Sequence, residues 1–373
     1  MNTMLVDKSD TNTKLDEKTL RVVLQSLFDR MNQIDMQCQN GQFPLYSVND
    51  NDHWTLSKGG SWTGGFWAGC WWLRSLVTGS TEDERKALSL CQHLNGKLMT
   101  DSINRSMIFG YGTALGAQVA HSPYAKRMAY TATDALIDSY HASLKFIPIG
   151  KAMGGGEMGD KTLSIDTLSS LLQLCHYSNN KRATRVAINH LNTAITACFN
   201  DDGSWYDKKR HDGSRFIHSG EKGAWARGHA WGLLGLSRAA FYWGEPYTSK
   251  AVKALDYWNN RFLSKTGFAI DKPSHSTSQL YDASAMLIVA LATSILSSVK
   301  YNQNFSEYRK KTLHDIIHSQ YYLYRDKDNT SIFYGSSFNV EKSKTIMAET
   351  PWGIYFLMLT IAIELQELDT AHI

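Results

Sequence analysis

The chain has 373 residues, of which 43% are hydrophobic, 20% charged and 12% aromatic. That much buriable surface excludes a largely disordered protein. Thirty-nine Lys and Arg against 35 Asp and Glu leave a net charge of +4, and with no basic run interleaved among the aromatics this excludes a nucleic-acid-binding footprint.

Residues 1–18 are polar and lack the apolar stretch of a signal peptide. They are expected to form a flexible tail ahead of one domain spanning 19–373, in a cytoplasmic protein. From there helical periodicity dominates. Helices are predicted over 17–34, 61–78, 81–100, 108–121, 123–144, 166–178, 181–200, 225–243, 248–264, 282–298, 304–324 and 349–368. Thr81 and Glu84 have the spacing of a capping box, and Asp166 and Asp282 each stand where a helix N-cap would. The longest apolar runs, Ala283–Leu296 and Trp352–Ile363, fall short of the roughly 20 residues that cross a membrane.

The helices alternate in character. Segments 61–78, 166–178, 225–243, 282–298 and 349–368 are apolar around most of their circumference, whereas 81–100, 181–200, 248–264 and 304–324 carry charge on one face. A helix apolar all round must be buried and an amphipathic one lies at the surface. The alternation predicts an all-α closed barrel of inner and outer helices. Loops 40–60, 145–165, 200–224, 265–281 and 326–348 lead into inner helices and would gather at one end as the mouth of a pocket.

Three stretches carry candidate chemistry. In Gly59–Trp72, several glycines stand among tryptophans. Each costs about 1 kcal/mol inside a helix relative to alanine, so they serve either close helix packing or a pocket in which Trp62 offers a flat face to a sugar ring. In Trp225–Leu233, Trp225 and His229 share one helical face, and Arg227 and Trp231 another. They are either a hydrogen-bonded core or the floor of a polar-ligand pocket. Asp166, at the head of Ser164–Leu171, is either a cap or a pocket acid, and spacing does not separate the two. Gly154–Thr162 looks faintly like a phosphate loop, but Asp160 breaks the Gly-Lys-Thr adjacency, so it reads as a glycine-rich lid or loop. His211 and His218 lack the spacing of a zinc pair, and no Gly-x-Ser-x-Gly elbow occurs. The five cysteines are odd in number and form no Cys-x-x-Cys pair, which points to reduced thiols. No metal, organic cofactor, nucleic acid or membrane is expected as a partner.

The segments SWTGGFWAGCWWL (61–73), IDTLSSLLQLCHYS (165–178), IHSG with WARGHAWGLLGLSRA (217–239), YDASAMLIVALA (281–292) and PWGIYF (351–356) together resemble the unsaturated glucuronyl hydrolases and unsaturated rhamnogalacturonyl hydrolases. The resemblance implies an (α/α)6 barrel and a glycosidase whose aspartic acid protonates C4 of a 4,5-unsaturated uronate while water adds at C5. By position it implies Asp166 as that acid/base. It also implies Trp62, His218, Trp225, Arg227, His229, Trp231 and Arg238 as residues around a small oligosaccharide or sugar-conjugate substrate, with Arg227 or Arg238 against its carboxylate. The pattern departs from the family at Ile108, where a second aspartate is usual, and at Ile354. Two alternatives follow: a degenerate barrel that binds a saccharide or protein without turnover, or a sugar epimerase or isomerase using His218 and His229.

Overall fold

The computed structural model describes residues 15–39, 41–48, 52–218, 221–274, 280–299, 303–341 and 344–370. The chain runs through α1 (Glu17–Gln37), a hairpin of β1 (Gln42–Ser47) and β2 (Trp54–Lys58), α2 (Gly64–Thr78) and α3 (Thr81–His93). Next come α4 (Arg105–Phe109) and α5 (Leu115–Val119), joined through a π turn, then α6 (Pro123–Ile137), β3 (Thr162–Ser164), α7 (Leu168–Tyr177) and α8 (Lys181–Cys198). The remainder is β4 (Lys208–His211), β5 (Phe216–His218), α9 (Ala226–Trp243), α10 (Tyr247–Arg261), α11 (Ala283–Val299), α12 (Gln303–Ile317), β6 (Tyr322–Arg325), β7 (Thr330–Phe333), β8 (Ser336–Glu341), β9 (Lys344–Ala348) and α13 (Pro351–Glu364). Residues 1–14 of the expected tail lie outside the described residues, and its last two, Glu17 and Lys18, belong to α1.

Six inner helices close a ring in the order α2, α4–α5, α7, α9, α11, α13 and back to α2. The outer helices α3, α6, α8, α10, α12 and α1 each cover one of them. This is an (α/α)6 barrel, and burial follows the alternation of helix character. Every residue of α13 from Pro351 to Ile363 is buried, as is α11 from Ala283 to Leu296. In α8, by contrast, only one face (Ala183, Val186, Ala187, His190, Leu191, Ala194, Ala197, Cys198) is buried.

Glycine allows the inner ring to close. A Cβ on Gly65 would lie 2.3 Å from the Ile108 carbonyl oxygen, and one on Gly69 2.8 Å from that of Tyr111. Gly65 and Gly69 therefore serve close backbone packing against α4 and the π turn. Gly65→Ala forces those helices apart, and overpacking of this kind costs about 1–3 kcal/mol. The expected result is a lowered thermal midpoint; an unchanged one would mean that the α2–α4 contact yields freely.

The loops are more ordered than an all-α reading allows. They hold three antiparallel hairpins (β1–β2, β6–β7, β8–β9) and a three-stranded sheet in the order β3–β4–β5. Such strands of three to six residues pair their own backbone groups where the chain crosses the barrel end, and they are too short to stand out against helical periodicity. The expected Thr81–Glu84 capping box does not form: the N-cap is Ser80, whose side chain accepts the Asp83 amide while its own amide donates to Thr78 Oγ1. No described helix is long and apolar enough to cross a membrane.

Candidate active site

Because the loops preceding inner helices gather at one end, residues far apart in sequence surround a cavity of about 390 Å³. Asn104, Ile149, Met153 and Gly154 form one lip, and Asn104 Nδ2 ties it together by donating to the Met153 carbonyl at 3.2 Å. Ser164, Asp166, Asp207 and Lys208 come from the three-stranded sheet and its flanks; Trp225 and Arg227 from the start of α9; Asp271, Lys272, Ser337 and Asn339 from the loops before α11 and α13. A wider hollow of about 550 Å³ follows the outer face of α1, but its walls are Glu17, Lys18, Arg21, Val22 and Gln25, side chains of a solvated helix face.

Asp166 does not cap its helix. The cap position of α7 is Thr167, which makes no side-chain capping bond. The backbone amide of Asp166 donates to Ser164 Oγ at 3.3 Å, and its carboxyl faces the cavity. Carboxyl oxygen Oδ1 is sealed from solvent without a hydrogen-bond partner. Burial, followed by the negative charge of Asp207, pushes the Asp166 carboxyl up to about 7, since a charge out of water beside a like charge is disfavoured.

Across the cavity, Asp282 does cap its helix, as predicted. Its Oδ1 accepts from the Ala285 amide at 3.1 Å and from Ser284 Oγ at 2.6 Å. Its Oδ2 accepts from Arg227 Nη1 and, at 2.9 Å, from Ser337 Oγ. Ser337 Oγ also lies 2.8 Å from Asp271 Oδ1. One hydroxyl proton cannot serve both carboxylates at once, and burial together with the Asp282 charge raises the Asp271 carboxyl above its ordinary value. The Arg227 guanidinium lies over the rings of Trp225 at 5.1 Å and Trp352 at 5.4 Å.

The structure gathers some of the expected substrate residues and separates others. Asp166, Trp225 and Arg227 line the cavity. Arg227, though, pairs with the buried Asp282, so its charge is already matched and it is not the free cation expected for a substrate carboxylate. Trp62 is absent from the lining; its ring leans on Trp352 at 5.1 Å. His229 faces outward, not into the pocket. Its Nε2 donates to the Ala254 carbonyl at 2.8 Å, its ring stacks on Tyr257, and burial pushes it down to about 4. That placement removes the paired-histidine epimerase. Trp231 belongs to the barrel axis, against Phe356 at 5.4 Å. Arg238 lies about 16 Å along α9 from Arg227, where its Nε donates to Ser169 Oγ at 2.9 Å, and so does not reach the cavity. The His218 backbone pairs with Lys209 in the sheet, and its side chain lies outside the described residues. The Ile108 side chain is fully buried.

Asp207, Lys208, Asp271, Lys272, Ser337 and Asn339 were not singled out in the sequence. Asp207 ends a short segment between a helix and a strand, and Asp271 sits in an irregular loop, so neither has periodicity or spacing to mark it.

No protein-family model matches the chain. An unsaturated chondroitin disaccharide hydrolase of Streptococcus pyogenes serotype M1 is 26% identical over 269 residues, covering 66% of this chain and 65% of that protein. The protein of the same name from Streptococcus agalactiae serotype III is 24% identical, covering 52% of this chain and 50% of its own. The match thus spans less than two thirds of either streptococcal protein. An unsaturated glucuronyl hydrolase of Formosa agariphila is 24% identical over 317 residues, 80% of this chain and 78% of that one. Among solved structures, the unsaturated glucuronyl hydrolase of Bacillus sp. GL1 superposes with a TM-score of 0.78 at 20% identity, over 92% of this chain and 96% of that one. An unsaturated glucuronyl hydrolase specific for heparin gives 0.81 at 17% identity, over 95% and 100%. The chain resembles this family in sequence and shares its fold.

Proposed function

We propose that the protein is a glycoside hydrolase that hydrates an unsaturated uronyl saccharide, with Asp166 as general acid and base. The observation that carries this reading is the Asp166 carboxyl, set in the cavity wall with one oxygen sealed and unpartnered. A carboxylic acid that keeps its proton near neutral pH is what protonation of a carbon–carbon double bond requires.

In the proposed reaction the Asp166 proton bonds to C4 of the substrate as the C4=C5 pair of electrons takes it up. The oxygen of a water molecule bonds to C5, and the carboxylate left on Asp166 takes a proton from that water. The C5 hemiketal then passes its hydroxyl proton to the ring oxygen as that C–O bond breaks, leaving a ketone at C5 and a hemiacetal at C1, which collapses to an aldehyde and releases the rest of the saccharide as an alcohol. Asp166 ends protonated, and one water is consumed.

The site has cations for a uronate. Lys208 and Lys272 line the cavity and take part in no ion pair among the described residues, whereas the charge on Arg227 is matched by Asp282. Trp225 supplies an apolar wall for a sugar ring. The names of the streptococcal relatives make an unsaturated chondroitin disaccharide the first substrate to try. The cysteines are all free thiols, four of them buried, which supports a reducing, cytoplasmic location.

The test follows the ultraviolet absorbance of the C4=C5 bond of that disaccharide as pH is varied. Because Asp166 must be protonated to act, and burial raises it to about 7, turnover is expected to hold below neutrality and to fall as pH rises through about 7. Loss of the double bond with no alkaline decline until well above that range would remove Asp166 from the role of acid.

A further inference from the structure

Asp166 has a second carboxylate beside it that comes from another strand. Asp207 immediately precedes β4, and Asp166 follows β3 by two residues. These strands pair with Ser164 opposite Lys208, and the pairing continues past them. The Ile165 amide donates to the Asp207 carbonyl at 3.1 Å, and Ser164 Oγ reaches the same oxygen at 3.5 Å. The sheet thus fixes the two backbones against each other, and both side chains line the cavity. Neither carboxylate takes part in an ion pair among the described residues.

We propose that Asp207 is a positioning residue for the Asp166 reaction, the fixed anion that the sheet holds beside the proton donor so that the proton stays on Asp166. The proposal rests on the hydrolase reading above. The other charged groups facing Asp166 do not supply this anion. Lys208, on the same strand as Asp207, and Arg227, from α9, both favour the ionised form of Asp166. The charge of Arg227 is already matched by Asp282. Lys208 is exposed to solvent, where its field is screened. Asp271 and Lys272, on the loop before α11, are adjacent and of opposite sign. Burial raises the Asp207 carboxyl above its ordinary value, but Lys208 and backbone amides oppose that rise and favour its ionised form, whereas Asp166 Oδ1 has no partner.

The experiment compares pH–rate profiles of the wild type, Asp207→Asn, Asp207→Glu and Lys208→Gln on the unsaturated disaccharide, with Asp166→Asn as reference. Removing the anion is expected to move the alkaline limb of kcat to lower pH by about one unit. Asp207→Glu restores it, and Lys208→Gln, which removes only a solvent-screened cation, moves it little. A uniform loss of rate in Asp207→Asn with an unmoved limb, the mark of a structural role, would overturn the proposal. Should Asp207→Asn fail to fold, carboxyl-carbon NMR of the wild type decides: Asp207 ionised at a pH where Asp166 is still protonated supports the proposal, and the reverse order overturns it. Turnover surviving in Asp166→Asn would sink both readings. An inactive Asp166→Asn beside an unmoved limb in Asp207→Asn would sink this one alone.

Discussion

Asp166→Asn is expected to lose about 10²–10⁴-fold in turnover on an unsaturated uronyl disaccharide, the usual contribution of a positioned general acid. Asparagine fills the same space in the cavity wall but has no proton to give to C4 and no carboxylate to take one back from water. The loss should fall on kcat with KM little changed, because the group acts in the transition state and not in holding the ground-state sugar. Stability should move the other way. A carboxyl raised from its ordinary 3.8 to about 7 binds its proton more tightly in the folded chain than in the unfolded one. Its ionisation therefore removes stability progressively as pH rises from about 4 to about 7, and the full deficit persists above that. Asp166→Asn never pays that penalty, so above neutrality it should melt at a higher temperature than the wild type. An inactive variant that also melts lower would point to a structural aspartate; a variant with wild-type turnover would end the assignment.

Asp282→Ala is expected to cost about 3–5 kcal/mol of folding stability, the range for stripping one partner from a buried ion pair. Asp282 is fully buried and Arg227 is 8% exposed. The substitution leaves the guanidinium between two indoles without its carboxylate and removes the cap of α11, which alone is worth about 1 kcal/mol. It also relieves Asp271 of the like charge that helps to raise its carboxyl, a small gain against the larger loss. Denaturant midpoints decide the matter. Asp282→Asn should fall between wild type and Asp282→Ala, because its amide oxygen keeps the cap while the charge is lost. Replacing Arg227 by Met in the Asp282→Ala background should recover part of the loss, since the uncompensated charge goes with it. A deficit below about 1 kcal/mol in Asp282→Ala would show that the pair is solvated, not sealed.

The scaffold was legible in the sequence because helix formation and helix burial are written locally. Three- and four-residue spacing shows where a helix runs, and the absence of a polar face, as along Ala283–Leu296, shows that it must be inside. Alternation between the two kinds is enough to give two layers. The prediction was weakest where the local signal is weak. The α4–α5 helix, broken by its π turn, does not declare itself an inner member of the ring, and the strands over the barrel end are too short to show a period of their own. The glycines of α2 showed that something comes close, but only the 2.3 Å approach of a Cβ on Gly65 to the Ile108 carbonyl oxygen says that it is a backbone.

The sequence by itself determined a two-layered helical barrel, which of its most distinct helices are buried all round, and Asp166 as the residue to watch. Only the tertiary structure decided which polar groups meet. It turned His229 and Trp231 into the core, matched Arg227 with Asp282, and brought Asp207 to Asp166 across a sheet that no periodicity announced. The reason is physical. Periodicity follows from the geometry of one helix, whereas proton affinity depends on exclusion of water and on charges delivered by other segments, and those distances exist only once the ring has closed.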